Sequence, residues 1–270
     1  MQDTRIAVVV SNARVGQTAE NLSKIARWVE KAAAEGAAIV CFPEMQITGY
    51  HIDAEIEALA QPVPGPASRF LEDLAQRHDL TILAGLAEAG AGGSVYATHL
   101  VVKPDGLAGI YRKLHLGPPE KAVYTPGNDI PMFSAGGDFR FGLQLCYDTH
   151  FPELATAMAL NGADAIFIPH ASPGGTSAAK LASWMRHLPA RAFDNGIFVI
   201  ACNQTGENGR GLSFPGAGLV IGPSGEVLDS YTGGDETRML VDLKADDLKA
   251  VRSHRMRYFL PNRRPDLYQR

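Results

Sequence analysis

A pattern that occurs twice is the feature of this sequence that most constrains its fold. Residues 36–44, GAAIVCFPE, align without gaps on residues 162–170, GADAIFIPH. Each copy follows apolar residues at helical spacing, opens with a glycine that can end that helix, and continues as a buried strand. Glu44 and His170 therefore occupy equivalent strand ends. Two buried strands can match by chance, but the repeat supports a layered fold whose two similar halves face one site.

Further strands and helices surround both copies. Apolar runs predict strands over residues 6–10, 80–86, 96–102, 107–111, 141–145, 197–202, 218–221, 226–231 and 238–243. Some are joined as antiparallel hairpins and others alternate with helices, so we expect an α/β chain with mixed sheets. A long helix over residues 181–193, kinked at Pro189, and a polar, Gly-rich loop over residues 203–215 are also expected. No linker divides the chain, which predicts a single domain over residues 1–270.

The composition argues against several classes of protein. A formal net charge of -4 with scattered Lys and Arg offers no basic face for nucleic acid. No apolar run approaches the roughly 20 residues of a membrane helix, and no signal peptide is visible at the N-terminus. Three cysteines, an odd number, lack the flanks of a disulfide framework. We therefore expect a soluble protein of the reducing cytoplasm, without a nucleic acid or membrane partner.

The spacing of the histidines and cysteines bears on metal binding, and the composition of the C-terminal tail bears on subunit association. The eight histidines are dispersed without H-x-x-x-H spacing and no C-x-x-C occurs, so neither a metal site nor a cofactor is expected. The tail over residues 252–270 is basic, aromatic and broken by prolines. Because it has too few apolar residues to pack alone, we expect it to dock on a partner subunit of a homodimer or larger homo-oligomer.

Cys146 lies where a predicted strand ends and a helix is about to begin. Residues 141–145 are apolar except for Gln144, and Pro152 suits a first helical turn, where its missing N–H would be unpaired anyway. Backbone N–H groups and the positive end of a helix dipole both favour a thiolate at such a position. A buried, unreactive thiol is the commoner role of a free cysteine, and we assign that role to Cys41 and Cys202.

Two other polar residues lie at strand ends. Glu44 follows a strand too apolar for a sheet edge, at the mouth where α/β proteins place their sites. Lys113 precedes an irregular loop that contains Glu120, and such loops are often functional. A carboxylate can remove the proton of a thiol that attacks an amide, and a lysine can stabilise the resulting oxyanion. Glu44, Lys113 and Cys146 are thus predicted to form one catalytic site.

Three segments of the chain resemble, in order, the signatures of the nitrilase superfamily of carbon–nitrogen hydrolases. They are residues 42–44 with 49–50, residues 111–116, and residues 146–148 with 151–153, and the resemblance extends to residues 263–268. It implies an α-β-β-α four-layer sandwich, usually dimerised through helices and the C-terminal tail. It also implies Glu44 as general base, Lys113 as oxyanion stabiliser and Cys146 as the nucleophile that forms a thioester. Glu120 is similar to a second glutamate that many members use to orient the substrate.

The residues around Cys146 bear on the substrate that this resemblance implies. Members that hydrolyse nitriles tend to have tryptophan directly after the cysteine, whereas Tyr147 is similar to the amide-hydrolysing branches. Many of those branches carry an arginine four residues past the cysteine, where it can hold a carboxylate. His150 stands there instead, so we expect neutral amides to be preferred. With Tyr50 and His170, these residues complete the predicted substrate-positioning set.

The predicted reaction is hydrolysis of a small aliphatic amide to a carboxylic acid and ammonia, with an N-carbamoyl compound or a nitrile as the alternative substrate. Two other classes of function were weighed. A metal hydrolase is disfavoured by the scattered histidines. A non-catalytic binding protein with the same fold would be favoured by loss of the Glu, Lys or Cys, and all three are present.

Overall fold

The computed structural model describes residues 1–268. The strands within this range, in chain order, are β1 (Thr4–Val10), β2 (Ile39–Cys41), β3 (Thr81–Ala89), β4 (Val95–Lys103), β5 (Gly106–Arg112), β6 (Phe133–Ser134), β7 (Arg140–Leu143), β8 (Ala165–His170), β9 (Phe198–Asn203), β10 (Thr205–Glu207), β11 (Ser213–Pro215), β12 (Gly218–Ile221), β13 (Val227–Tyr231) and β14 (Thr237–Leu243). The helices are α1 (Thr18–Ala34), α2 (Ile56–Leu59), α3 (Pro66–His78), α4 (Pro152–Leu160), α5 (Ser177–Trp184), α6 (Leu188–Asn195), α7 (Ala245–Arg252) and α8 (Pro265–Tyr268).

Two six-stranded mixed sheets have the same plan. The first runs β14-β1-β2-β3-β4-β5, and the second, taken from its β6 edge, runs β6-β7-β8-β9-β12-β13. In both, successive neighbours pair antiparallel, parallel, parallel, antiparallel and antiparallel. Strands β2 and β8, which carry the two copies of the repeated pattern, are third in their sheets. The predicted mixed sheets and similar halves are confirmed.

The sheets pack face to face between two layers of helices. Along β1, Ile6 and Val8 join the core shared with the second sheet, whereas Ala7 and Val9 pack with residues of α1 and α3. This alternation follows from the two-residue period of a strand. On the far side, Leu154, Met158 and Leu188 place α4 and α6 against the second sheet. The result is the four-layer α-β-β-α sandwich that the sequence predicted.

Two local predictions were wrong. The single kinked helix over residues 181–193 is two helices, α5 and α6, separated by residues 185–187. Pro189 is the second residue of α6, where its missing N–H has no partner to lose, so it fits the first turn of a new helix. The loop over residues 203–215 is not wholly irregular, because β10 and β11 pair antiparallel within it.

The C-terminal tail partly packs on its own chain. Arg252 binds Asp164 through a 2.7 Å ion pair, and Leu260 is buried. Met256, Leu267 and Tyr268 remain exposed. The predicted tail extends two residues past the described range, and its docking on a partner subunit stays a prediction. Over residues 1–268, no helix is both long and apolar enough to cross a membrane.

Candidate active site

Glu44 lies in the turn that follows β2, and its side chain is almost fully buried. Its Oε1 accepts a hydrogen bond from the Lys113 ammonium at 2.9 Å, and its Oε2 accepts one from the backbone N–H of Ala171 at 2.9 Å. The Gln204 side chain donates to the Glu44 carbonyl at 2.7 Å. These bonds connect Glu44, from the first sheet, to segments that follow β8 and β9 of the second.

Lys113 lies one residue past the end of β5 and bridges two carboxylates. Its buried ammonium is 2.9 Å from Glu44 Oε1 and 2.7 Å from Glu120 Oε1. Burial lowers the pKa of Lys113, but the charges of Glu44, Cys146 and Glu120 together outweigh that effect and raise it above its ordinary value. Lys113 is therefore a fixed positive charge at the bottom of the site.

Glu120 is held in a short 3₁₀ turn, Pro118–Ala122, within the loop that the sequence marked as functional. Its Oε2 accepts the backbone N–H of Gly117 at 2.7 Å, while its Oε1 accepts the Tyr50 hydroxyl at 3.0 Å as well as Lys113. The structure thus brings the predicted Tyr50, Glu120, Lys113 and Glu44 into one continuous chain of hydrogen bonds.

Cys146 begins a 3₁₀ turn, Cys146–His150, directly after the second sheet's β7 and Leu145. Its φ of 42° lies in the left-handed region that non-glycine residues rarely adopt. Such strain is concentrated at functional sites, where surrounding structure holds the residue in place. The half-buried Cys146 is thereby presented at a sharp bend between strand and helix.

The backbone effects that favour a thiolate at Cys146 are outweighed by its surroundings. Burial, reinforced by the charge of Glu44, raises the pKa of Cys146 to about 12, and the opposing charge of Lys113 does not compensate. Burial likewise raises the pKa of Glu44 to about 7, against the lowering effect of Lys113. Cys146 is therefore a neutral thiol near neutral pH, and the Glu44 carboxyl group changes its protonation state in the same range.

Asp148 is a site residue that the sequence reasoning missed. Its buried carboxylate accepts the Tyr111 hydroxyl at 2.8 Å, the Leu145 N–H at 2.9 Å and the His115 N–H at 2.8 Å. The His115 ring lies 2.8 Å from the same carboxylate. Asp148 therefore joins the Lys113 segment of the first sheet to the Cys146 turn of the second. Asp148 lies in the signature segment over residues 146–148, which could have drawn attention to it. However, an aspartate two residues past a cysteine is not a distinctive spacing.

The remaining predicted positions surround Cys146 in different ways. Tyr147 helps line a cavity of about 500 Å³, together with Leu114, His115, Leu116, Lys121, Tyr124, Pro126 and Phe151. His150 is exposed, with its ring 5.4 Å from that of Tyr147 and 4.9 Å from that of His187. His170 is buried against Trp184, and burial, with the nearby charge of Lys180, keeps its pKa well below the ordinary value. His170 is therefore neutral.

The arrangement combines a thiol, a buried carboxyl group and a fixed cation. Over the described residues, 1–268, no group of three or more His, Cys, Asp or Glu side chains is placed to hold a metal ion. A thiol beside a buried carboxylate and an ammonium can attack a carbonyl carbon and stabilise the oxyanion that forms. The site is suited to acyl transfer through sulfur.

Comparison with known proteins gives a consistent result. The sequence profile of the family described as carbon–nitrogen hydrolase matches residues 5–253. A nitrilase from Pyrococcus abyssi is 34% identical over 256 residues, which cover 93% of each chain. An (R)-stereoselective amidase from a Pseudomonas species is 32% identical over 92% of this chain and 88% of its own.

A solved structure shares the fold. A cysteine-to-alanine mutant of the Nesterenkonia AN1 amidase, from the nitrilase superfamily, superposes with a TM-score of 0.83. It is 28% identical and covers 98% of this chain and 95% of its own. A glutamate-to-glutamine mutant of that amidase, with the same TM-score, shows Michael addition of acrylamide at its active-site cysteine.

Proposed function

The chain belongs to the carbon–nitrogen hydrolase family, and we propose that Glu44, Lys113 and Cys146 are the catalytic residues with which it hydrolyses a small aliphatic amide. The observation that carries this assignment is the buried hydrogen-bond chain from Glu44 through Lys113 to Glu120, with Cys146 in its electrostatic field. The amidase relatives support an amide as the substrate.

Acylation begins with the neutral thiol. As Cys146 Sγ bonds to the amide carbonyl carbon, Glu44 accepts the thiol proton. The Lys113 ammonium and the backbone N–H of Tyr147 stabilise the oxyanion of the tetrahedral intermediate. Glu44 then gives its proton to the leaving nitrogen, the C–N bond breaks, ammonia departs and a thioester remains on Cys146.

Deacylation uses the same groups in the same roles. Glu44 takes a proton from a water molecule as the water oxygen bonds to the thioester carbonyl carbon. Lys113 again stabilises the oxyanion. The C–S bond breaks, Glu44 returns its proton to sulfur, and the carboxylic acid leaves. Glu120 positions Lys113 throughout, since it accepts a hydrogen bond from the ammonium, and Tyr50 in turn donates a hydrogen bond to Glu120.

Intact-protein mass spectrometry during turnover of butyramide tests the proposal. The wild-type enzyme should release ammonia and carry the added mass of a butyryl group. Cys146→Ala should lack the adduct and lose more than about 10⁴-fold in kcat/KM. Cys202→Ala, a change at a buried thiol on β9, is the control and should keep the adduct. Turnover by Cys146→Ala at the wild-type rate would refute the mechanism.

The proposal also covers the oligomeric state, the domain organisation and the location of the protein. We infer a homodimer, because Phe193 of α6 and Phe259 of the tail pack their rings 5.4 Å apart and are both exposed. The chain acts as a single domain. A cytoplasmic location is supported by three free cysteines, since disulfides predominate in oxidising compartments. Cell fractionation with antibody detection tests the location.

A further inference from the structure

Lys180, a residue of α5, is a cation that has no counter-ion among residues 1–268. The residue is half-buried, and its ammonium donates to the Ser172 hydroxyl at 2.6 Å. Among residues 1–268, no carboxylate lies within the 4.0 Å of an ion pair with Lys180. Lys113 differs, because two carboxylates neutralise it. A charge that is partly removed from water and left unpaired is unfavourable unless an anion joins it.

The Lys180 ammonium is connected to Glu44 through the segment that contains Ala171 and Ser172. Ser172 follows Ala171, whose N–H binds Glu44 Oε2. The backbone of Ser172 is fixed on both sides by Asn203, which accepts its N–H at 2.8 Å and donates to its carbonyl at 3.0 Å. Lys180 is thus held at the wall of the site that carries the general base. The charge of Lys180 also lowers the pKa of Cys146, which agrees with this position.

We propose that Lys180 is a specificity-determining residue whose ammonium binds a carboxylate on the acyl part of the amide substrate. The inference rests on the proposed function. The leaving group of a primary amide is ammonia, so a recognised anion must belong to the acyl part. Lys180 supplies, from a different element, the positive charge that His150 does not supply. With Lys180 in this role, we expect the enzyme to prefer amides that carry a carboxylate, and not the neutral amides expected from His150 alone.

A purely positioning role for Lys180 predicts a different result. In that case Lys180 would act only by holding Ser172, and hence the Ala171 N–H that binds Glu44. Ser172→Ala removes the hydroxyl contact but leaves the ammonium and the Asn203 bonds to the backbone. Ser172→Ala therefore distinguishes binding of a substrate carboxylate by Lys180 from a role of Lys180 in holding the Ser172 loop.

The test measures kcat/KM for ω-carboxylated primary amides, from succinamate to adipamate. Each is paired with a neutral analogue in which an isopropyl group replaces the carboxylate. The wild type should prefer the carboxylated member of at least one pair. Lys180→Met should lower that preference about 10- to 150-fold, the effect of losing one hydrogen bond to a charged group. Ser172→Ala should retain the preference, and so should Lys249→Met, which removes an exposed charge on α7.

Three results would overturn the assignment of Lys180. They are a wild-type preference for the neutral member of every pair, an equal loss on both members in Lys180→Met, and a Ser172→Ala variant that loses the preference as Lys180→Met does. All three leave amide hydrolysis itself intact. Failure of the wild type to release ammonia from either series would instead refute the proposed function.

Discussion

At the scale of single residues, we expect Glu44 to set the pH dependence of catalysis. Its pKa is raised from 4.5 to about 7, chiefly by burial. Only the ionised form can accept the Cys146 proton, so kcat/KM should rise with pH through about 7. Lys113, whose pKa is raised, should give no descending limb in the neutral range. A profile measured over roughly pH 5 to 9 that is flat near 7, or falls there, would contradict this role.

The same carboxylate should leave a signature in stability. Because the folded-state pKa of Glu44 exceeds its unfolded value, its contribution to the free energy of unfolding is full below pH 4.5 and is lost as the pH rises through about 7. That loss is about 3 kcal/mol at most. Urea unfolding across this range should show the decline in the wild type and less of it in Glu44→Gln. An equal decline in both proteins would assign the effect to other groups.

Asp148 should matter for both stability and rate. Its carboxylate accepts bonds from Tyr111, Leu145 and His115, and an amide has only one oxygen to offer them. Asp148→Asn should therefore lose about 1–3 kcal/mol of unfolding free energy. It should also lower kcat by shifting the Cys146 turn relative to Lys113. Asp138→Asn, an exposed change of the same kind, is the control. Equal unfolding free energies in the two variants would refute the anchoring role.

Candidate residues could be selected where the chemistry requires a particular side chain. Glu44, Lys113 and Cys146 were selected because acyl transfer needs a base, a cation and a nucleophile, and their catalytic roles stay a prediction. The pKa of Cys146 was not predictable, since burial depends on packing of distant segments and outweighed the local backbone effects. Lys180 and Asp148 were missed for a related reason. Asp148 contacts Tyr111 and His115 of the first half of the chain. Lys180 stands out only once the fold places its ammonium on Ser172, next to the Ala171 N–H that binds Glu44.

At the scale of elements, the turn after β2 depends on Gly49. This residue has φ 79°, and a Cβ there would lie 2.6 Å from the Val15 backbone nitrogen. Gly49→Ala should cost about 1–2 kcal/mol in backbone strain and about 1–3 kcal/mol in overpacking. It should also lower kcat, because neighbouring Tyr50 binds Glu120. Urea unfolding and steady-state kinetics measure the two effects.

Gly92 provides the matched comparison for Gly49. It also has a positive φ, 65°, but a Cβ there would meet nothing within 4 Å. Gly92→Ala should therefore show the strain alone, about 1–2 kcal/mol, with unchanged kcat. If both alanine variants lose the same stability, the close approach to Val15 has no energetic role.

Elements with strong periodicity were predicted well, and short ones were not. The apolar residues at helical spacing before residue 36 lie in α1. The strands predicted within residues 162–170 and over residues 197–202 match β8 and β9 closely. By contrast, β6 has two residues and β10 has three. Such segments are too short to show the two-residue alternation of a strand or the spacing of a helix. The break between α5 and α6 was missed because apolar spacing continues across it, although Pro189 marked its neighbourhood.

At the scale of the whole molecule, the repeated sequence pattern corresponds to two halves whose sheets have the same topology. Glu44 and Lys113 come from the first sheet, and Cys146 comes from the second. The site therefore exists only where the halves meet. Sequence periodicity identified the halves, but the pairing of β1 with β14 could not be predicted, because it joins segments such as Thr4 and Leu243 from opposite ends of the chain.

The proposed dimer is also testable at this scale. Phe193 is 43% exposed, and so is Val227 on β13, which gives a matched pair of apolar surface positions. Sedimentation velocity should show a dimer for the wild type and for Val227→Glu. Phe193→Glu should sediment as a monomer, because a buried charge without a partner opposes association. A wild-type monomer, or a Phe193→Glu dimer, would refute an interface at this face.

The pairing of β1 with β14 has a consequence for synthesis. Six of the seven residues of β1 are buried, and its edge opposite β2 pairs with residues 237–243. During synthesis, β1 is made long before β14. Until residues 237–243 are made, the nascent chain therefore carries a highly apolar strand with an open hydrogen-bonding edge, the form most prone to pairing with other chains. Synthesis of β14, rather than that of Cys146, is the point at which the first sheet can be completed.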